Sequence, residues 1–379
     1  MRPSTTDRSP GNYLPTLDGW RSVAIALVLF AHASESLLDA IPLNFLANLG
    51  SLKMVGLIGV QLFFGLSGFL ITSKLLEEEA RHGRISLAAF YIRRSFRILP
   101  AALAFLSVIA LLAMAGVLDI SPARWFSTLF FAANYSWAEH SWYLGHFWSL
   151  AVEEHFYFLW PAAFLLLRGR GARLALVLSL ALLVALWRAV DFKFQLTGST
   201  PAVFWGRTDI QADGILWGVL IALLYADPIW KHRLRQFFVA APSWPLLCLL
   251  LLALEGLPEL NWKLSFALIS MKAILMPLLI LGTLVQSTRL PGRVLETSAL
   301  RWVGRLSYSL YLWQQLFLVW REDRVAGLDW LQVFPLNLLA VFVCASMSLQ
   351  LVETPLIAIG HRIAKRFGRL NTTRAGKRA

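Results

Sequence analysis

Near the start of the chain, the apolar stretch LDGWRSVAIALVLFAHA carries Arg21 and His32, eleven positions apart. At about 100° and 1.5 Å per residue this is just over three helical turns, so both side chains leave one face about 16 Å apart. An ionisable group within apolar surroundings is costly unless it faces a polar interior, so each marks a candidate site. An imidazole titrates near neutrality, which suits His32 to take a proton from a hydroxyl. The alternative is a packed histidine bonded to a neighbouring helix. Arg21 and Asp18 on the same helix favour chemistry.

Three other segments concentrate charge among apolar residues. HFWSLAVEEHFYFLWP holds Glu153, Glu154 and His155. Adjacent helical residues diverge by about 100°, so one of the two carboxylates is expected to face the polar interior, where Glu153 could orient His32. A helix-end carboxylate bonded to tryptophan or backbone is the other reading. GRTDIQADGILWG holds Arg207, Asp209 and Asp213, the two aspartates an i, i+4 pair. They could grip the hydroxyls of an acceptor, as could Glu154, or pair with Arg207 or Arg188 as an internal ion network. FYIRRSFRILP carries Arg93, Arg94 and Arg97, of which Arg94 and Arg97 can converge on one anion. Orientation charge in an inner loop also explains any one of them.

The elements that must position these groups are membrane helices. Hydrophobic residues make up 58% of the 379 and charged ones 15%, with mean hydropathy +0.61, far from the balance of a soluble domain. The expected fold is an all-α integral membrane domain over residues 18–355 with about ten transmembrane helices. The apolar runs begin near Asp18, Met54, Leu99, Phe147, Ala172, Asp209, Ala241, Phe266, Arg305 and Val333. The stretch around Arg93 alternates aromatic and basic positions and is expected to form an amphipathic helix on the inner surface. WFSTLFFAANYSW, in the longest outer connection, reads as an interfacial or re-entrant segment. No internal repeat of the transporter kind is present.

The net charge of +13 sits in short connections instead of one patch, which excludes a nucleic-acid partner and points to orientation and a lipid bilayer. Lys and Arg are commoner in the connections on the side of the N-terminus, placing both termini in the cytoplasm. Residues 1–17 are polar and unlike a secretory signal, so the first span is expected to be retained. Residues 356–379 form a basic tail, expected to be a frayed cytoplasmic end drawn to anionic lipid. Cys248 and Cys344 lie in apolar segments without ligand-spaced neighbours, so neither a disulfide framework nor a metal site is expected.

At these positions the sequence resembles the membrane-bound acyltransferase-3 family of bacterial glycan, lipopolysaccharide, nodulation-factor and antibiotic O-acyltransferases. The shared motifs run in order from LDGWRSVAIALVLFAHA through GVQLFFGLSGFLIT, FYIRRSFRILPA, FWSLAVEEHFYFLWP and GRTDIQADGILWGVL to GRLSYSLYLWQQ and VETP. The family's Arg, ten-residue gap and His fall on Arg21 and His32, its Arg-x-x-Arg on Arg94 and Arg97. Its Trp-Ser-Leu-x-x-Glu falls on Trp148, Ser149, Leu150 and Glu153, with Trp148 counted among the acceptor contacts. The resemblance implies transfer of an acyl group, acetyl in the first instance, from cytoplasmic acetyl-CoA or another acyl-CoA to a glycan hydroxyl at a bacterial inner membrane. His32, Arg21 and Glu153 would be catalytic, Arg93, Arg94 and Arg97 would bind the donor, and Asp18, Glu154, Arg207, Asp209 and Asp213 the acceptor. Three positions depart from the family: His155 where Gln is common, Gly65 for Val, and Gln314 for the His after Tyr-Leu-Trp. The last removes any proton-handling role there. No hydrolase-like domain follows the last span, so the chain is expected to work alone, as a homodimer or with a separate partner. A proton-coupled transporter is the rival reading, since intramembrane His, Asp and Glu also build proton relays.

Overall fold

The computed structural model describes residues 13–40, 52–135, 141–198, 206–239, 243–255 and 262–375, and among these it contains helices and no strands. Helix α1 spans Pro15–Ala40, α2 Leu52–His82, α3 Leu87–Met114, α4 Pro122–Leu129, α5 Phe147–Leu166, α6 Arg170–Phe194 and α7 Thr208–Tyr225. After them come α8 (Pro228–Val239), α9 (Ser243–Glu255), α10 (Trp262–Val285), α11 (Leu290–Leu295), α12 (Ser298–Phe317), α13 (Leu336–Met347) and α14 (Thr354–Ala375). A π-helical turn, Ser348–Glu353, joins the last two. Among the described residues six segments are long and apolar enough to cross a bilayer: 15–38, 55–82, 87–114, 170–194, 208–225 and 336–367. The all-α membrane fold holds, whereas length and apolarity alone do not give ten spans.

Helix α1 packs between α2 and α12, α2 lies against α7, α7 against α6, and α14 against α3. Close approach at glycine makes this possible. A Cβ on Gly68 of α2 would lie 2.0 Å from the carbonyl oxygen of Ile215, and one on Gly218 of α7 2.3 Å from that of Gly65. The two backbones therefore touch, and any side chain at either position would force them apart. Large apolar side chains such as Leu103, Phe158, Leu182 and Leu339 face outward, as a lipid-facing surface requires.

The arginine-rich stretch differs from expectation. It is no separate surface helix but the first part of α3, which starts at a Ser86 cap whose hydroxyl accepts from the Ala89 N–H (3.3 Å) and continues past Pro100 to Met114. Arg94 thus stands seven residues into a membrane-crossing helix, about 10 Å from its start. The basic stretch after residue 356 is likewise helical to Ala375, as part of α14, and packs on α3. Of WFSTLFFAANYSW, α4 takes the beginning, and residues 136–140 lie outside the described chain.

Candidate active site

Two neighbouring spaces lie among the helices, the smaller of them between α1, α2, α3, α5 and α12. The larger has a volume of about 1550 Å³ and is lined by Arg21, Lys74, Arg97, Arg170, Arg235 and Arg305 among others. The smaller, about 90 Å³, is a narrow passage walled by Ser67, Arg94, Ser149, Glu153, Tyr157 and Tyr311. Arg21 and Arg97 line both, so the spaces meet at two guanidinium groups. Asp18 lies 3.6 Å from Arg21 and accepts the Tyr13 hydroxyl at 2.6 Å. At the rim of the large cavity, Arg170 pairs with Asp227, whose carboxyl also accepts from the backbone N–H groups of Ile229 and Trp230. Those N–H groups, Trp230 first, hold the Asp227 carboxyl below its ordinary range.

The three arginines of α3 have different surroundings. Arg93 pairs with Glu78 at 3.1 Å. Arg94 stacks 3.3 Å over the Tyr157 ring and lies 3.8 Å from Glu153 and 4.0 Å from Glu154. Arg97 has no carboxylate within ion-pair distance among the described residues and lines the large cavity. Arg94 and Arg97 both line the narrow passage, and Arg94 has the two carboxylates at the outer limit of ion-pair distance while its buried Nε has no hydrogen-bond partner. Helical spacing predicts that one of Glu153 and Glu154 faces the polar interior, where Arg94 lies. Both instead flank its guanidinium, because Arg94 rides deep on α3 and the two carboxylates bracket it from α5.

Glu153 does not support His32. Its carboxylate accepts from the Ser67 hydroxyl at 2.9 Å and the Tyr157 hydroxyl at 2.8 Å. The partner of His32 is Gln314, the position that departs from the family pattern, with Nδ1 and Oε1 2.5 Å apart. A chain of amides fixes the polarity of that bond. Gln315 Nε2 donates to the carbonyl oxygen of Trp142 at 2.6 Å, which leaves Gln315 Oε1 to accept from Gln314 Nε2 at 2.8 Å. Gln314 Oε1 is then the acceptor for His32, so the imidazole proton sits on Nδ1 and the lone pair on Nε2. Trp142 closes the other side edge-on, its ring centroid 5.2 Å from that of His32. Gln314 was missed as a site residue because an amide carries no charge to mark it. A buried glutamine following Tyr-Leu-Trp was the only signal.

Elsewhere the charges are bound internally. Arg188 forms a buried two-pronged pair with Asp213 (3.0 and 2.8 Å) and also reaches the Ser270 hydroxyl. Arg207 joins Asp191 at 2.9 Å and also Asp209, which accepts the Trp187 indole N–H at 2.7 Å. Of the two readings for these aspartates, the geometry is that of the ion network, although Asp209 keeps 34% of its side chain exposed. His155 bonds the Thr208 hydroxyl at 2.7 Å. Trp148 packs edge-on against Phe64 and does not line the passage. Its neighbours Ser149 and Leu150 do. One buried carboxylate went unnoticed in sequence: Glu353 of VETP, turned inward by the π-helical turn onto the Ser309 and Ser348 hydroxyls. Among the described residues no group of three or more His, Cys, Asp or Glu is placed to hold a metal ion.

Comparison with known proteins agrees with the motifs. The peptidoglycan O-acetyltransferase OatA of Listeria monocytogenes is 26% identical over 378 aligned positions, covering 93% of this chain, and the O-acetyltransferase OatA of Staphylococcus aureus is 27% identical over 371, covering 91%. The chain spans 57% of the length of each. No solved structure matches. The family model described as an acyltransferase domain matches residues 14–349, which takes in every residue lining the two spaces except Tyr13 and Thr354, and the chain belongs to this acyltransferase-3 family.

Proposed function

We propose that this protein is a membrane O-acetyltransferase that takes acetyl from acetyl-CoA on the cytoplasmic side and passes it to a hydroxyl of an extracytoplasmic glycan. The observation that carries the reading is the pairing of the two spaces with a polarised histidine. A wide basic cavity suits a polyanionic donor, a narrow passage suits its thin acyl-bearing arm, and one helical turn of α12 separates Tyr311 in the passage from Gln314 on His32. Arg97 and Arg21 would hold phosphate oxygens at the junction, in place of the Arg94 and Arg97 pair expected from sequence. His32 Nε2 would take the proton of the acceptor hydroxyl as its oxygen attacks the acetyl carbonyl. Breaking the C–S bond would then release the CoA thiolate, which recovers that proton.

The acceptor class follows the relatives: the Listeria protein is named for peptidoglycan, and a peptidoglycan-type sugar hydroxyl is the proposed acceptor here. Release of free thiol from acetyl-CoA by the purified protein, dependent on added glycan fragment, tests the activity. His32→Ala should lower that rate by about 10² to 10⁴, the usual worth of a general base. A rate within a few-fold of wild type would remove His32 from the chemistry.

A further inference from the structure

The wide cavity carries an aromatic face that the steps above do not use. Trp302, one turn into α12, lines the cavity and keeps 47% of its surface exposed. Phe342 of α13 stacks on it, with centroids 6.3 Å apart and planes inclined by 16°, which fixes the plane of the indole. Arg305, three residues further along α12, and Lys74 of α2 line the same space, and both are exposed. Neither has a carboxylate within ion-pair distance among the described residues. A tryptophan near the end of a membrane helix is ordinarily an anchor among lipid headgroups. That explains a ring turned to lipid, and it does not explain one that lines a cavity together with cations.

Its place along the route to His32 gives the face a use. A Cβ on Gly304 would lie 1.8 Å from the carbonyl oxygen of Asp18, so α12 touches α1 at that level. Further along the same two helices Gln314 meets His32. The helices therefore run side by side from the wide cavity to the base, and Trp302 stands before the Gly304–Asp18 contact, at the end away from His32. Arg21 lies one turn past Asp18, about 16 Å short of His32. On the proposed function Arg21 and Arg97 hold phosphate oxygens of the donor. The pantetheine arm that leaves those phosphates is about as long as four extended residues, or about 14 Å, and spans that gap. The nucleoside at the opposite end of the diphosphate then has to lie on the side of Arg21 away from His32, which is where Trp302 is.

We infer that Trp302 is a donor-specificity residue whose open surface stacks on the purine base of coenzyme A. The inference rests on the reading of acetyl-CoA as the donor. A purine and an indole are both flat and polarisable, and a base stacked on an aromatic side chain gains about five- to a hundredfold in affinity. Arg305 and Lys74 place cations beside that surface for the phosphate on the ribose. Trp302 therefore acts on donor binding and leaves the transfer step alone. It separates coenzyme A from acyl carriers that end at the phosphopantetheine phosphate, because only coenzyme A has a base to stack.

The test titrates the purified full chain with CoA and, separately, with phosphopantetheine, which carries the arm and one phosphate but no nucleoside. Wild type should bind CoA more tightly than phosphopantetheine. Trp302→Leu should weaken CoA binding by about five- to a hundredfold and leave phosphopantetheine within about twofold of wild type. In the thiol-release assay its KM for acetyl-CoA should rise while kcat stays within about threefold. Trp302→Phe, which keeps a smaller aromatic face, should recover part of the CoA affinity. CoA affinity of Trp302→Leu within about twofold of wild type overturns the inference, and so does an equal loss for both ligands, because the ring would then only shape the cavity. If Trp302→Leu does not fold, Trp302→Phe carries the same comparison at smaller amplitude, and an unchanged CoA affinity there overturns the inference. Equal affinity of wild type for the two ligands does so without any variant. Failure of wild type to bind CoA at all would instead overturn the donor reading, and the inference with it.

Discussion

Gln314 offers the sharpest perturbation, because two different properties hang on its two amide atoms. Gln314→Leu keeps the side-chain volume nearly constant and removes both hydrogen bonds, leaving the His32 Nδ1–H and Gln315 Oε1 without their partners. Gln314 is fully buried, so each stranded group costs about 1–3 kcal/mol of stability, less whatever the half-buried imidazole recovers by rotating. The rate should suffer less. Losing a neutral hydrogen bond that orients the base is worth about 0.5–1.5 kcal/mol, or about two- to tenfold in kcat, well short of the effect of deleting the base. Gln314→Glu separates the two losses, since it still accepts from His32 but does not donate to Gln315 when ionised. Its kcat should stay near wild type while its midpoint falls. Acetyl-CoA thiol release and thermal unfolding, measured on the same preparations, give both quantities. If Gln314→Leu is as slow as His32→Ala, or Gln314→Glu as slow as Gln314→Leu, the amide does more than fix the tautomer and the mechanism is wrong at this point.

Two further predictions concern the arginines. Arg97→Ala should weaken CoA binding by about ten- to a hundredfold, the worth of a lost charge-assisted phosphate contact, as read by titration of purified protein with CoA. Arg94→Ala should act chiefly on stability, because it leaves Glu153 and Glu154 close together without their shared cation, and a thermal midpoint unchanged from wild type would contradict this. Asp213→Leu should cost about 3–5 kcal/mol by stranding the buried Arg188, whereas the double variant Asp213→Leu, Arg188→Met should recover most of the folded yield in membrane extracts. If the double variant is no better than the single one, the pair is not an isolated ion bridge.

What the sequence displays is the part of the site that is both charged and local. Arg21 and His32 share a helix, so their spacing alone places them on one face. Glu153 is visible for the same reason, as a carboxylate among apolar residues. Its partners are not, because Ser67 is 86 positions away and Arg94 belongs to a helix whose amphipathic start resembles a surface element. The depth of Arg94 depends on α3 continuing through Pro100, which the local pattern of Arg and aromatic residues does not reveal. Neutral groups are the hardest to find. Gln314 entered only as a departure from the family pattern, since an amide announces itself by its partners. Glu353 needed a π-helical turn to reach Ser309, and nothing in VETP specifies that turn.

The distribution of charge along the two spaces also suggests how a donor would be held in one direction. At the wide end Arg21 and Arg97 face the cavity, with Asp18 close to Arg21 and no carboxylate within ion-pair distance of Arg97 among the described residues. In the passage Glu153 stands with Arg21, Arg94 and Arg97, and Tyr157, Tyr308 and Tyr311 supply neutral walls. With three guanidinium groups and one carboxylate in its lining, the passage favours negative charge where it shares Arg21 and Arg97 with the wide cavity, since charges in poorly screened surroundings act strongly on one another. On the proposed function, the anionic head of a donor would rest at Arg21 and Arg97 and its uncharged arm along the tyrosine-lined wall. Glu153, the carboxylate of the family motif, offsets part of that positive charge from the passage wall, where Ser67 and Tyr157 bond it and Arg94 stands 3.8 Å away.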